Sequence, residues 1–107
     1  MNSSGVVIEN ATAAPNPMRD ETSFSFEHNQ IGNSVDVQIQ VFDILGRLVT
    51  TLEDRMEGTS ARTNPIRWDG RAQNGQSLSN GVYLYRIVVT NDKGETGITT
   101  SKLVICR

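Results

Sequence analysis

The sequence is poor in the residue types from which catalytic and metal sites are built. Among 107 residues it has one cysteine, Cys106, and one histidine, His28. A lone cysteine cannot form an internal disulfide, and this pair cannot supply the four ligands of a structural zinc site. A cysteine nucleophile also needs a base and a group that orients the base. We therefore interpret Cys106 as a small apolar residue at a strand end and His28 as a surface strand end, and we expect no catalytic residue, metal site or cofactor.

An excess of one charge sign and long apolar runs are missing as well. The net charge is -2, with 21% charged residues, so the chain has no basic surface of the kind that nucleic acid or anionic lipid binds. The longest apolar runs are about four residues, against roughly 18 for a membrane span. Neither a Gly-x-Gly-x-x-Gly motif nor a Walker loop occurs. We expect no nucleic-acid partner, no nucleotide binding and no direct membrane insertion.

The beginning of the chain resembles a linker. Residues 1–4 are Met-Asn-Ser-Ser, without the apolar region of a secretory signal. The remaining residues 5–107 are enough for one compact domain whose core is stable without disulfides. We therefore predict a single domain over residues 5–107. Either the protein is cytoplasmic or the chain is a piece of a larger exported protein, and the linker-like opening favours the second.

Alternating apolar residues indicate strands. Phe24 and Phe26 alternate with polar residues over residues 22–28, and the valines and isoleucine of residues 35–41 do the same. Further patterns predict short strands at 6–9, 48–52 and 65–68 and long strands at 81–91 and 96–106, separated by turn signals at roughly 10-residue spacing. Residues 53–64 are polar and are predicted to form a crossing loop, and a helix over 47–57 is disfavoured by Val49-Thr50-Thr51. The predicted fold is all-β, an immunoglobulin-like antiparallel β-sandwich of about seven strands.

Residues 68–86 contain the strongest turn signals. Trp68-Asp69-Gly70 is followed by a polar loop with Asn-Gly pairs, which tolerate positive φ. We interpret Trp68 as a core anchor, with a binding platform as the alternative. Asp69 is expected to cap the turn, with a calcium site as the alternative. The following strand has two largely apolar faces, which indicates either a partner interface or a central, covered strand. Tyr83, Tyr85, Ile87 and Val89 share one face, and Val82, Leu84, Arg86 and Val88 share the other.

Four motifs together carry a family resemblance. They are Asn16-Pro17, Val41-Phe42-Asp43-Ile44-Leu45-Gly46-Arg47-Leu48-Val49, Gly81-Val82-Tyr83 and Lys102-Leu103-Val104-Ile105. In this order they resemble the C-terminal sorting domain of the type IX (Por) secretion system of Bacteroidetes, and most of all the C-terminal domain of the type IX sortase. The stretch from Trp68-Asp69-Gly70 to Asn80-Gly81 also resembles the Ig-like domain of the flagellar hook-capping protein.

The resemblance implies a non-catalytic signal and docking domain. Such a domain directs its parent protein through the type IX translocon, across the outer membrane from the periplasm to the cell surface. In the sortase it is expected to stay attached and to dock on an outer-membrane β-barrel shuttle protein. The catalytic or cargo domain then lies upstream, and Cys106 does not inherit the role of a catalytic cysteine. The alternative is a structural Ig-like scaffold module of a hook-cap-like or adhesin-like kind.

The predicted recognition surface lies at the end of the chain. It consists of Lys102, Leu103, Val104 and Ile105, together with Gly81, Val82 and Tyr83 of the neighbouring strand. An apolar terminal strand can be bound by strand addition or in a groove. Leu103 and Ile105 can instead fill the core, and both roles are compatible because alternate residues face opposite ways.

Overall fold

The computed structural model describes residues 5–58 and 60–107 and contains only β-strands as regular structure in these ranges. The predicted linker at residues 1–4 lies outside the described residues, as does Thr59 of the predicted crossing loop. The strands are β1 (Ile8–Ala14), β2 (Thr22–His28), β3 (Ser34–Phe42), β4 (Leu48–Glu57), β5 (Ile66–Trp68), β6 (Gly81–Asn91) and β7 (Thr96–Ile105). The predicted all-β fold of about seven strands is confirmed.

The strands form two sheets. One has three strands in the order β1-β2-β5, the other has four in the order β4-β3-β6-β7, and every paired strand is antiparallel to its neighbour. The predicted alternation places Val35, Val37, Ile39 and Val41 of β3 inward, as it does Tyr83, Tyr85, Ile87 and Val89 of β6. These side chains meet Phe24 and Phe26 of β2 in one core, which confirms the immunoglobulin-like sandwich.

Two strands run over different residues from those predicted. β1 spans Ile8–Ala14 and not residues 6–9, while Val6 is buried ahead of it. β4 continues to Glu57, so both the predicted loop over residues 53–57 and the helical alternative are wrong. The β3 ladder extends over this polar half, where Arg55 lies opposite Asp36 and donates to its carboxylate at 2.7 Å. The polarity of residues 53–57 reflects the position of β4 at the exposed edge of the four-stranded sheet.

The Trp-Asp-Gly stretch ends β5 and begins the long loop to β6. The Trp68 ring is buried beside Phe24, with centroids 6.2 Å apart, which confirms it as a core anchor. The Asp69 Oδ1 atom accepts a hydrogen bond from the Arg71 backbone N–H at 3.1 Å, so it caps the turn as expected. The described residues contain no group of three or more His, Cys, Asp or Glu side chains that could hold a metal ion. No helix long and apolar enough to cross a membrane occurs in the same residues.

His28 corrects a prediction. It ends β2 as expected, but it is buried and not at the surface. Its Nδ1 atom accepts a hydrogen bond from the Gln30 backbone N–H at 3.0 Å, and its ring lies 6.2 Å from the Phe26 ring. The backbone N–H of His28 donates to Ala61, in the loop that covers this end of the strand. Burial lowers the pKa of His28, because it disfavours the charged imidazolium.

We expect acid to destabilise the fold through His28. Only the neutral imidazole offers Nδ1 as an acceptor, and the lowered pKa keeps the folded form neutral when the unfolded chain, with its ordinary pKa of about 6.5, takes up a proton. The stabilisation is complete above that value and is lost as the pH falls towards the lowered pKa. Urea unfolding at about pH 7.5 and about pH 5.5 measures this loss.

The matched control is His28→Gln. His28 is the only histidine, so the variant should lose most of the pH dependence in this interval. An equal dependence in both proteins would assign the effect to other groups.

Candidate docking surface

The structure brings the two predicted recognition segments together. Gly81, Val82 and Tyr83 begin β6, and residues 102–105 end β7 directly beside them. In the antiparallel register Gly81 lies opposite Ile105, Val82 opposite Val104 and Tyr83 opposite Leu103. The recognition role of these residues stays a prediction, but their adjacency is a property of the fold.

Alternation divides these residues between the core and the surface. Tyr83, Leu103 and Ile105 are buried among the core side chains, and the Tyr83 hydroxyl donates to the Ser79 carbonyl at 2.7 Å. Val82 and Lys102 are exposed, and Val104 is half-buried. A partner of the folded domain can therefore contact the outward side chains only.

The outer edge of β7 is already hydrogen-bonded over these residues. The Asn16 side chain donates to the Lys102 carbonyl and accepts from the Val104 N–H, both at 3.0 Å. The Met18 N–H donates to the Val104 carbonyl and the Cys106 N–H donates to the Met18 carbonyl, both at 2.8 Å. Backbone groups engaged in this way cannot pair with an added strand. Binding by strand addition at residues 102–106 would require the Asn16–Met18 segment to leave, so the geometry favours the face of the sheet.

We expect Asn16→Ala to destabilise the domain by about 1–2 kcal/mol. The variant removes two hydrogen bonds, each with a net value of about 0.5–1.5 kcal/mol. Chemical denaturation measures the loss, and the Val104 amide should exchange with solvent faster than in the parent chain. Asn64→Ala, at another exposed asparagine, is the control and should leave both quantities unchanged. Unchanged exchange at Val104 in Asn16→Ala would contradict the role of this side chain.

A row of apolar side chains lies on the outward face of the four-stranded sheet at the same end. Phe42 of β3 lies opposite Leu48 of β4 on one side and Leu84 of β6 on the other, and Val82 lies opposite Val104 in the next position. We call this set the apolar row: Leu48, Phe42, Leu84, Val82 and Val104. Leu48 is 52% exposed and Val82 and Leu84 are each 44% exposed. Phe42, Leu48 and Leu84 were not among the predicted recognition residues, and the signal for them was an outward apolar residue on each neighbouring strand.

The turn of the β3–β4 hairpin, residues 43–47, extends this apolar surface and is ordered by hydrogen bonds to Asp43. Asp43 Oδ1 accepts from the backbone N–H groups of Leu45 and Arg47 at 2.9 and 3.0 Å, and Oδ2 accepts from Arg47 Nε at 2.9 Å. The hydrogen bond from the Arg47 backbone N–H is the main cause that lowers the pKa of Asp43. Gly46 has a φ of 83°, a positive value that glycine adopts without a Cβ clash.

The ordered hairpin holds two large apolar side chains in solvent. Ile44 is 76% exposed and Leu45 is 72% exposed. Between the hairpin and the loop before β6 lies an open groove of about 600 Å³, whose lining includes Leu45, Leu78 and Val82. A docking surface of this kind offers shape and apolar area. Cys106, predicted to lie within a strand, is exposed and follows the end of β7.

Comparisons with known proteins give a family and several structural relatives, including the following two. Residues 11–95 match the family described as FlgD Ig-like domain. The crystal structure of dimeric latent PorU from Porphyromonas gingivalis contains a region that is 30% identical, with a TM-score of 0.82, over 96% of this chain and 10% of that chain. The β-glucuronidase of Parabacteroides merdae is 13% identical, with a TM-score of 0.58, over 94% of this chain and 13% of that chain.

The matches cover most of this chain but only a small part of each structural relative. No curated protein matches the chain. The chain spans only about a tenth of the PorU chain, so the activity of that whole protein does not carry over. The likeness to β-glucuronidase shows the fold alone. The match to PorU confirms the resemblance to the C-terminal domain of the sortase.

Proposed function

The chain belongs to the family of FlgD Ig-like domains, and on that premise we propose that it is a non-catalytic signal and docking domain of the type IX secretion system. One observation carries the proposal, namely the similarity to the sortase PorU over 96% of this chain at 30% identity. Ig-like domains are typically non-catalytic, which supports a role in recognition.

The partners and the location follow from this proposal. The domain would be recognised by the type IX translocon while it is carried from the periplasm across the outer membrane. At the cell surface it would dock on an outer-membrane β-barrel shuttle protein and hold there the catalytic or cargo domain that precedes it. The apolar row and the β3–β4 hairpin support a docking role, because exposed apolar surface of this kind marks interaction sites.

A reporter fusion tests the proposed function. Residues 5–107 are attached to the C-terminus of a reporter that is exported to the periplasm of a type IX-competent bacterium. We expect the reporter at the cell surface or in the medium, and we expect it to stay in the periplasm of a strain whose translocon is disabled. Periplasmic retention of a folded, intact fusion in the competent strain would contradict the proposal.

The structural scaffold remains the second candidate because of where the family match ends. The match stops at residue 95, so β7, which contains the predicted terminal signal, lies outside it. A hook-cap-like or adhesin-like spacer requires the sandwich alone. The same fusion separates the two functions, since a spacer domain would not move the reporter across the outer membrane.

A further inference from the structure

Two cations, Arg86 and Lys102, lie beside the apolar row on the outward face. Lys102 lies opposite Leu84 on the outward face, and Arg86 occupies the next outward position of β6. The Arg86 guanidinium lies over the Phe42 ring, 5.1 Å from its centroid, and its Nη1 atom donates to Gln40. Among residues 5–58 and 60–107, no carboxylate forms an ion pair with Arg86 or Lys102.

The carboxylates of this face lie at its other end. Along the strands, Glu53 lies two outward rows from Leu84, and Asp36 lies three outward rows from it. At that end Arg55 already binds Asp36 at 2.7 Å and Asp92 at 3.1 Å. The one carboxylate among the turn residues 43–47, Asp43, is engaged by Arg47. The apolar row is therefore bordered by two cations that have no carboxylate partner among the described residues.

The sheet edges beside the row restrict how a partner can bind. On β4 the Gln73 N–H donates to the Val49 carbonyl at 3.0 Å, and the Gln73 side chain accepts from the Thr51 N–H at 3.2 Å. On β7 the Asn16–Met18 segment occupies the edge at residues 102–106. With both edges hydrogen-bonded at this end, a partner must contact side chains of the face.

We propose that the apolar row binds a protein segment of another chain that presents leucine-like or aromatic side chains next to carboxylates. The apolar side chains of the segment would cover Phe42, Leu84 and Val82, and its carboxylates would pair with Arg86 and Lys102. Burial of the row would strengthen these two ion pairs, because the contact excludes water. The inference rests on the proposed docking function and adds the chemistry of the partner.

A second copy of this chain is the poorer occupant. Packing two apolar rows against each other would bring Arg86 and Lys102 of both copies into one interface. Like charges in contact oppose association and select against that partner. The charge of the face therefore favours an acidic partner.

Two synthetic peptides test the partner chemistry. In one, leucine and phenylalanine alternate with glutamate, and in the other the glutamates are replaced by lysines. Titration of the isotope-labelled chain by NMR should show that the glutamate peptide shifts the amide signals of Phe42, Leu84 and Val104. The Arg86→Glu/Lys102→Glu variant should weaken its binding about tenfold and should bind the lysine peptide more tightly than the parent chain does.

The matched control is Arg19→Glu/Lys93→Glu, which makes the same charge change at two exposed cations outside the row. It should bind the glutamate peptide like the parent chain. Equal affinity for both peptides, or signal shifts confined to other surfaces, would overturn the inference. A concentration-dependent dimer in sedimentation that Leu84→Glu dissociates would overturn it too, by assigning the row to a second copy.

The reporter fusion separates this inference from the proposed function. If the parent fusion reaches the surface and the Arg86→Glu/Lys102→Glu fusion reaches it equally well, the partner chemistry is wrong and the export function stands. If the parent fusion stays in the periplasm, the export function is wrong, whatever the peptides show.

Discussion

Deletion of residues 102–107 is expected to unfold the domain, and not merely to remove a terminal signal. The deletion takes away Leu103 and Ile105, which are both fully buried, and leaves the start of β6 without its neighbour. Truncation of one buried leucine or isoleucine to alanine costs about 2–5 kcal/mol. The loss of two such side chains and their backbone pairs approaches the whole stability of a typical domain, about 5–15 kcal/mol. Circular dichroism and urea unfolding should show a largely unfolded chain.

The control is a shorter deletion that removes Cys106 and Arg107 only. Both residues are exposed, and their loss removes hydrogen bonds to Met18, Gly70, Leu78 and Asn80. This variant should fold and unfold cooperatively. A deletion of residues 102–107 that unfolds at the same urea concentration as the parent chain would contradict the burial of the terminal strand.

Unfolding of this deletion variant would by itself affect its export. A fusion that lacks residues 102–107 can fail to leave the cell because it is unfolded, even when no receptor reads those residues. Variants of the outward side chains, such as Lys102→Glu, leave Leu103 and Ile105 in the core. Only such variants distinguish a recognition role from a structural role.

Phe24→Ala is the single substitution expected to have the largest effect on stability. Phe24 is fully buried in β2, its ring centroid is 4.9 Å from that of Tyr85 in the other sheet, and Trp68 stacks on it at 6.2 Å. Its removal opens a cavity between the sheets and costs about 3–5 kcal/mol. Urea denaturation followed by Trp68 fluorescence measures the loss, because Trp68 is the only tryptophan.

Phe42→Ala makes the same chemical change on the outward face. Phe42 is half-buried, and the Arg86 guanidinium lies over its ring. The loss of stability should be clearly smaller than for Phe24→Ala. Equal losses in the two variants would contradict the assignment of Phe24 to the core that joins the sheets.

Local residue patterns predicted most of the fold. The alternation in β2, β3 and β6 identified both the strands and their buried faces, because the side-chain period of two is a property of the strand itself. The turn cap was also predicted from local sequence, because the Asp69 side chain accepts a hydrogen bond from a backbone N–H only two residues away. The seven strands and the core role of Trp68 could therefore be predicted from the sequence.

Features that depend on pairing between distant residues were predicted less well. The polar residues 53–57 form a strand because β3 pairs with them, and His28 is buried because the loop at Ala61 covers it. Neither effect leaves a signal in the local pattern, because the partner lies elsewhere in the chain.

By itself, then, the sequence determined the all-β class, the strand faces and the turns. It also determined that the chain has no cysteine and histidine set for catalysis or zinc. All of these follow from residue type and near-neighbour spacing. Only the tertiary structure decided which predicted recognition residues are accessible. Asn16 closes the edge of β7 from 86 residues away, and the apolar row is assembled from four different strands. The register and order of strands set these contacts, and they depend on long-range pairing that no local spacing encodes.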